Sequence, residues 1–367
     1  MTMKTIALML ESDGPGGAEI MLLHLAEGLR ERGYEICPVL PDNGPGWLGR
    51  QFTAKGFVPE TFTLRSPVDW KCARGLMRLF DRRRVDLVHS HEFTMAVYGG
   101  VASRLTNRPH VITMHGNRRF ADQWRRRAAL RWAVRKSRGT AAVSGALAGF
   151  MEERLNLSAG SVAVVPNGIT FTAGNGAGVR ASLGLVADEP LIIAVGNLYP
   201  VKGHIVMVRA LARLARERPN LRWQAAIAGR GQEEATLRAF MEEHDLSSRV
   251  HLLGYRTDVP DILAAGDLWV MPSLSEGLPI ALLEAMLAGK AIVSSAVGGI
   301  PDVLADGAGR LVAAGDDAGL CTALADLLEH PAKRSALAAE AYRRADRSYR
   351  REQMVEAYMA LYQLPVG

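Results

Sequence analysis

Cysteine is scarce in this 367-residue sequence, and Cys37, Cys72 and Cys321 lie far apart. An odd, unpatterned set excludes a disulfide framework and a Cys-x-x-Cys metal pair, and it fits a reducing compartment. Long hydrophobic runs are missing as well. Nowhere do about 18 apolar residues follow one another, which excludes a membrane-spanning helix. Residues 1–10 hold one lysine and an apolar run too short for a signal peptide, and no small-residue cleavage site follows. A cytoplasmic protein is therefore expected. The sequence also lacks HExxH, GxSxG and a strict Asp-x-Asp, so the usual signatures of zinc proteases, serine hydrolases and acidic metal sites are absent. It shows neither a short internal repeat nor a low-complexity tract.

What is present is a globular composition, 48% hydrophobic and 22% charged, which argues against a disordered chain. This length suits two domains of about 150–180 residues, each able to bury its own core. Short Val/Ile/Leu-rich runs alternate with helix-period segments throughout. Strands are expected at residues 5–10, 35–40, 85–91, 110–114, 140–143 and 162–165. The rhythm restarts with strands at 191–195, 223–228, 250–253, 268–271, 291–294 and 310–312. Helical patterns fall at 18–32, 68–83, 95–105, 202–217, 233–243, 279–287 and 317–329. Near-continuous apolar strands are buried on both faces, hence parallel sheets with helices on each side. The fold class is α/β, with two consecutive doubly wound domains at 1–170 and 190–346. Residues 171–189, rich in small and polar residues without periodicity, read as the linker. Residues 339–363 are helical with no strand after them, and the tail from about 347 to 367 either caps the second domain or packs back on the first. Ligands in such sheets sit beyond the carboxyl ends of the strands, so two facing domains would share one cleft.

The net charge of +6 is unevenly placed. Residues 1–170 carry 24 basic and 15 acidic side chains, whereas the remainder carries 20 and 23. Nine of the basic ones, from Arg118 to Arg138, stand against Asp122 alone. Such a concentration is a local device rather than a general solubility feature. Phe120, Trp124, Ala128 and Trp132 recur there every four residues, a helical spacing. Tryptophan among arginines suits a lipid headgroup region, so Trp124, Arg125, Arg126, Arg127 and Arg131 are candidates for contact with an anionic membrane surface. A solvated helix with its tryptophans packed on the sheet is the plain alternative. No aromatic stacking platform or nucleic-acid motif accompanies the arginines, which argues against nucleic acid as a partner.

Glycine-rich turns mark candidate binding sites. Gly14-Pro15-Gly16-Gly17-Ala18-Glu19 follows the first strand, where backbone N–H groups at a helix start can approach a phosphate. Glu19 stands where a dinucleotide fingerprint needs its third glycine. Residues 196–203, with Asn197 and Lys202, and Gly229-Arg230-Gly231 are comparable turns. Lys202 opens a predicted helix, where a cation opposes the dipole; an anionic ligand would remove that conflict, and a solvated lysine is the simple alternative. The segment Ser275 to Met286 is more specific. With Pro279 as the first helical residue, Glu276 stands just before the helix and Glu284 over one turn inside it. Glu284 is flanked by Leu282, Leu283 and Met286, where a carboxylate needs hydrogen-bond partners, and the vicinal hydroxyls of a ribose are suitable. Glu276 could hold sugar hydroxyls, or merely offset the helix dipole, and Glu284 could be a surface acid. His89 and His91 face one side of a strand and His115 follows the next. They line a cleft, bind zinc, or are buried and satisfied by backbone. The looser acidic groups Glu11-Ser12-Asp13 and Glu243-His244-Asp245 are set aside.

Several of these elements together resemble a known family. They are Gly16-Gly17-Ala18-Glu19, Val88-His89-Ser90-His91, Thr113-Met114-His115-Gly116 and Val165-Pro166-Asn167-Gly168. In the second half they are residues 196–203, the Glu276/Glu284 pair in an E-x7-E spacing, and Gly298-Gly299-Ile300-Pro301-Asp302. Over nearly the whole chain the sequence is similar to glycosyltransferase family 4 (glycosyl transferases group 1), retaining enzymes of two domains. The resemblance implies a GT-B fold, two Rossmann-like domains facing one cleft. It implies a nucleotide-diphosphate sugar as co-substrate, UDP favoured over GDP, and no metal or other cofactor. Gly16 and Gly17 would present amides to the diphosphate, Lys202 would neutralise it, and Glu284 would bind ribose. Glu276 would bind the transferred sugar with the amides of Gly277 and Leu278, and Arg256 lies in the loop that would meet the base. The family usually has arginine where Asn197 stands, and Arg230 is the nearest candidate to supply that charge. His115 and Glu276 are the implied catalytic residues, with His91 and His115 on the acceptor side. The leaving phosphate would take the acceptor proton on the same face, unlike the paired-carboxylate glycosidase scheme. The activity so implied is a hexosyltransferase acting on a glycan or lipid-linked intermediate of cell-surface polysaccharide synthesis, at the inner face of the cytoplasmic membrane. A nucleotide-sugar epimerase, or a non-catalytic binding protein, is the alternative.

Overall fold

The computed structural model describes residues 4–44, 46–116, 123–186 and 188–363, which divide into two compact units. One runs to Ile169 and resumes at Tyr349; the other is Thr170–Ser348. The first is built on seven parallel strands, β1 (Thr5–Met9), β2 (Glu35–Pro41), β3 (Glu60–Phe62), β4 (Leu87–His91), β5 (His110–Met114), β6 (Gly139–Ala142) and β7 (Ala163–Val164). Their order is β3-β2-β1-β4-β5-β6-β7. Every residue of β1, β4 and β5 is buried, as strands covered by helices on both faces must be.

The second unit has six parallel strands, β8 (Leu191–Val195), β9 (Gln224–Ala228), β10 (Val250–Gly254), β11 (Leu268–Met271), β12 (Ala291–Ser295) and β13 (Arg310–Val312). They are ordered β10-β9-β8-β11-β12-β13 around a core that includes Leu211, Trp223, Ile227 and Val270. The strand order reverses between β1 and β4 in one sheet and between β8 and β11 in the other. In open α/β sheets that reversal is where a crevice forms beyond the carboxyl ends.

One expectation about the connections is corrected. Residues 171–189 are not a free linker but part of the second unit. Helix Ala177–Ser182 packs on helix Val259–Ala265, and Asn175 N–H donates to Asp261 Oδ1 at 2.7 Å. Arg180 donates to the carbonyls of Ala265 (2.9 Å) and Glu189 (2.6 Å). Polar pins rather than an apolar stripe hold this segment, so it shows no period.

The segment 339–363, expected to be helical, spans parts of two helices. Pro331–Ser348 belongs to the second unit and Arg351–Tyr362 to the first. At the break, Ile169 N–H donates to the Tyr349 carbonyl and Arg351 N–H to the Ile169 carbonyl, both at 3.0 Å. Helix Arg351–Tyr362 then lies on helix Gly17–Glu31, burying Met354, Val355, Tyr358, Met359 and Tyr362.

Candidate functional site

In the second unit, the chain leaves β8 and passes through a short turn, Pro200–Lys202, before helix His204–Glu217. Gly203 links them at φ 65°, and a Cβ there would stand 2.1 Å from the Pro272 carbonyl oxygen. Only glycine lets this turn lie against the segment that follows β11. Leu274 N–H closes the contact on the Val201 carbonyl at 2.8 Å. Lys202 is thereby brought to Glu276: Nζ donates to Oε1 at 2.7 Å, and Ser273 Oγ donates to the same oxygen at 2.7 Å. The Glu276 side chain is only 9% exposed and that of Lys202 28%. A carboxylate enclosed to that degree is costly unless a charge and a hydrogen bond meet it, and here both do. Lys202 ends the turn before the helix instead of opening the helix, so its charge is set against Glu276.

Behind Glu276, Gly298 (φ 56°) approaches so closely that a Cβ would stand 2.0 Å from the Glu276 carbonyl oxygen. Gly299 N–H donates to the Gly277 carbonyl at 2.8 Å. The Gly-Gly-Ile-Pro segment thus braces the Glu276–Gly277 turn. Pro279 is the N-cap, extended at φ −74°, and not the first helical residue; the helix is Ile280–Leu287. Glu284 lies in it beyond the first turn, with no hydrogen bond to its carboxyl group from the described residues. Burial pushes that carboxyl up to about 7. Leu278 is buried.

The remaining donor-side candidates fall on the loops after β8, β9 and β10. Leu198 N–H donates to the Arg230 carbonyl at 3.0 Å, which ties the Asn197 loop to the Arg230 turn. The Arg230 guanidinium lies 4.8 Å over the Tyr255 ring, and Tyr255 is half exposed. Arg256 is held by its own loop: Nε donates to Asp258 Oδ1 at 2.7 Å, with a second bond from Nη2 to Oδ2. Its fork is therefore occupied, and Arg230 with Tyr255 forms the open cationic and aromatic surface there. Ser273 and Asp258 were not anticipated. The Arg-x-Asp spacing was the only signal for Asp258.

In the first unit, Gly16 caps helix Gly17–Glu31 in extended conformation, without a side-chain cap. The buried Glu19 carboxylate folds back over Gly16, so an acid already faces this helix start. Asp13 accepts Gly49 N–H at 2.8 Å and serves the start of helix Trp47–Ala54. Beyond β4 and β5 stand the histidines. His91 Nδ1 and His115 Nε2 share a hydrogen bond at 3.1 Å, and Glu92 Oε1 accepts the His115 N–H at 3.2 Å. Burial holds His91 well below the ordinary imidazole range and His115 down to about 4, so both are neutral at physiological pH. A neutral pair sharing one proton leaves one donor and one acceptor open, at His91 Nε2 and His115 Nδ1.

Of the three histidines that could bind zinc, His89 offers no open nitrogen. His89 has both nitrogens engaged, Nδ1 with the Tyr362 hydroxyl at 2.6 Å and Nε2 with Thr113 Oγ1 at 2.8 Å. Among the described residues no three His, Cys, Asp or Glu side chains gather as a metal site.

Of the basic stretch, Arg118, Arg119, Phe120 and Asp122 lie outside the described residues. From Trp124 to Lys136 the chain is helical; Leu130 and Ala133 are buried, while Trp124 and Trp132 face outward. The tryptophans are therefore not packed on the sheet. A groove of about 640 Å³ is lined by Trp124, Arg127, Arg131, Trp132, Arg135 and Arg154. Arg125 stands 5.5 Å over Trp124, and Arg126 lies on the same helix. Arg131 donates to the Asn156 carbonyl at 3.3 Å and Arg138 to the Tyr362 carbonyl at 3.1 Å, so part of this charge serves the unit itself. No helix among the described residues is long and apolar enough to cross a membrane.

Comparison with known proteins bears on both units. The family model described as Glycosyltransferase Family 4 matches residues 15–172, and that described as Glycosyl transferases group 1 matches residues 179–344. A D-inositol 3-phosphate glycosyltransferase of Kineococcus radiotolerans is 30% identical, with 90% of this chain and 86% of the relative covered. The UDP-Gal:alpha-D-GlcNAc-diphosphoundecaprenol alpha-1,3-galactosyltransferase of Escherichia coli is 27% identical over 77% of each chain. Among solved structures, Anabaena HepE in complex with UDP matches with a TM-score of 0.85 at 24% identity, covering 98% of this chain and 100% of that one.

The state of Glu284 gives a test of the site's electrostatics. Its folded value, about 7, lies above the ordinary 4.5, so from pH 4.5 to 7 the unfolded chain releases a proton that the folded chain keeps. Stability therefore falls as pH rises through that window and levels off above it. Glu284→Gln should stabilise the protein by about 1–3 kcal/mol at pH 8 and by nothing near pH 4.5. Urea denaturation at the two pH values measures the difference.

Proposed function

Because the chain belongs to the group 1 glycosyltransferases of family 4 and has their GT-B fold, we propose that it moves a hexose from a UDP-sugar to a hydroxyl of a lipid-linked or phosphorylated acceptor, with retained configuration and no metal ion. The observation that carries this reading is the enclosed Lys202–Glu276 pair beside the unpaired carboxyl of Glu284. The name of the E. coli relative supports a UDP-sugar donor and a diphosphoundecaprenol acceptor, and that of the K. radiotolerans relative a phosphorylated inositol. The UDP in the Anabaena HepE complex supports the same nucleotide.

The chemistry follows from charge. As the glycosidic bond breaks, negative charge gathers on the leaving diphosphate, and a fixed, half-buried cation there lowers the barrier. Lys202 supplies it by exchanging Glu276 Oε1 for a phosphate oxygen; Asn197 and Arg230 add a neutral and a charged donor. Glu276, still oriented by Ser273, then accepts a hydroxyl of the transferred sugar, with the Gly277 and Leu278 amides beside it. Glu284 accepts the ribose diol, and the Arg230–Tyr255 surface and the Arg256 loop meet the base. On the acceptor side, the open donor and acceptor of His91 and His115 orient the incoming hydroxyl. That oxygen bonds to the anomeric carbon on the face the diphosphate leaves, and the departing phosphate oxygen takes its proton. Neither glutamate is a nucleophile. With Lys202 at the diphosphate, no divalent ion is required.

Lys202→Ala should weaken UDP binding at least tenfold while leaving uridine binding unchanged, and Glu276→Ala should lower turnover with little effect on UDP affinity. Calorimetric titration and a donor-hydrolysis screen across UDP-, GDP- and ADP-sugars measure both, and activity should survive excess EDTA. Unchanged affinity and turnover in both variants would end the assignment.

A lipid-linked acceptor also supports peripheral contact with an anionic membrane through the outward face of helix Trp124–Lys136. Each basic residue near such a leaflet contributes on the order of 1 kcal/mol. Sedimentation with anionic vesicles should show salt-sensitive binding that drops when Arg125, Arg126 and Arg127 are all changed to alanine. Indifference of the wild type to anionic vesicles at low salt would point to a soluble acceptor.

A further inference from the structure

The histidine pair at the ends of β4 and β5 is oriented by few contacts. His91 Nε2 and His115 Nδ1 are buried without hydrogen-bond partners among the described residues, and Glu92 Oε1 accepts the backbone N–H of His115. What fixes the His91 ring, apart from His115, is His89: the two ring centroids are 4.0 Å apart, tilted by 43°. His89 is itself fully determined. Thr113 Oγ1 donates to the Tyr358 hydroxyl at 3.1 Å, so it accepts from His89 Nε2–H. His89 Nδ1 then carries no proton and accepts from the Tyr362 hydroxyl. The rings of Tyr358 and Tyr362 close around it, with centroids 5.0 Å and 5.4 Å away. Both tyrosines come from helix Arg351–Tyr362, the segment that returns to the first unit after the whole second unit has been built. The last carbonyl of that helix is clamped by Arg138, a cation at a helix C-terminus.

We infer that helix Arg351–Tyr362 positions the His91–His115 pair for transfer, through the Tyr362–His89 hydrogen bond and the tilted ring contact of His89 with His91. Tyr362 and His89 are positioning residues in this scheme; they pass orientation, not a proton, because no hydrogen bond joins His89 to His91. The inference rests on the acceptor-side reading of His115 given above. It adds that the acceptor side is completed only when helix Arg351–Tyr362 has docked on the first unit.

Tyr362→Phe keeps the ring and its packing and removes only the hydroxyl. The full-length variant, labelled with ¹⁵N-histidine, should melt within a few degrees of the wild type, yet the ring nitrogen resonances of His91 and His115 should move. With UDP-glucose and UDP-galactose as donor probes, its turnover should fall roughly tenfold while its UDP affinity by calorimetry stays the same. Tyr358→Phe, which leaves the Tyr362–His89 bond in place, should perturb both readouts less. Unmoved His91 and His115 resonances in a folded Tyr362→Phe variant would overturn the positioning role. Wild-type turnover in His115→Ala would instead overturn the acceptor-side reading beneath it, so the two failures are distinct.

Discussion

Enclosing a carboxylate in protein is costly unless an opposite charge or hydrogen-bond donors meet it, and the second unit supplies both at Glu276. Lys202 arrives from 74 residues away, by way of a turn that only Gly203 can make against the Pro272 carbonyl. Ser273 occupies the same oxygen, and the Gly298–Gly299 turn presses on the backbone behind it. In the function proposed above, the lysine exchanges that carboxylate oxygen for a phosphate oxygen, and the carboxylate it leaves accepts a sugar hydroxyl. Glu284 shows the opposite solution, an acid left unpaired whose ionisation burial pushes up to about 7.

The first unit meets its polar demands differently. Its buried histidines carry no charge, and their hydrogen bonds run to hydroxyls and to one another. A neutral network of this kind costs less to bury than an ion pair, and every member must be satisfied or useful. His89 is satisfied; His91 and His115 keep one nitrogen each in reserve. The reserve sits at the carboxyl ends of β4 and β5, beside the reversal in strand order where α/β sheets place ligands.

Much of this was legible in the sequence, for identifiable reasons. Parallel strands buried on both faces are continuous apolar runs, so β5, β8 and β11 fall at the residues read from pattern alone. β3 shows no apolar run because Glu60 and Thr61 fill an edge strand, and helix Trp47–Ala54, with only Leu48 and Phe52 buried, shows too little of a stripe. The segment 171–189 was misread as a linker because backbone-directed polar bonds hold it. At the site, Lys202, Glu276 and Glu284 stood out by type and spacing, yet their pairing did not, since it depends on a glycine turn meeting a distant carbonyl. Tyr362 lies 273 residues from its partner His89, a distance over which local pattern is silent. Arg256 was given a ligand role that Asp258, two residues on, already fills in part.

The most direct test of the Lys202–Glu276 exchange is a crystal structure of the protein with UDP bound. Lys202 Nζ should lie within hydrogen-bond distance of a diphosphate oxygen and have left Glu276 Oε1, with the ribose hydroxyls on Glu284. UDP seated elsewhere, with the Lys202–Glu276 bond intact and Glu284 still unpaired, would contradict the donor site.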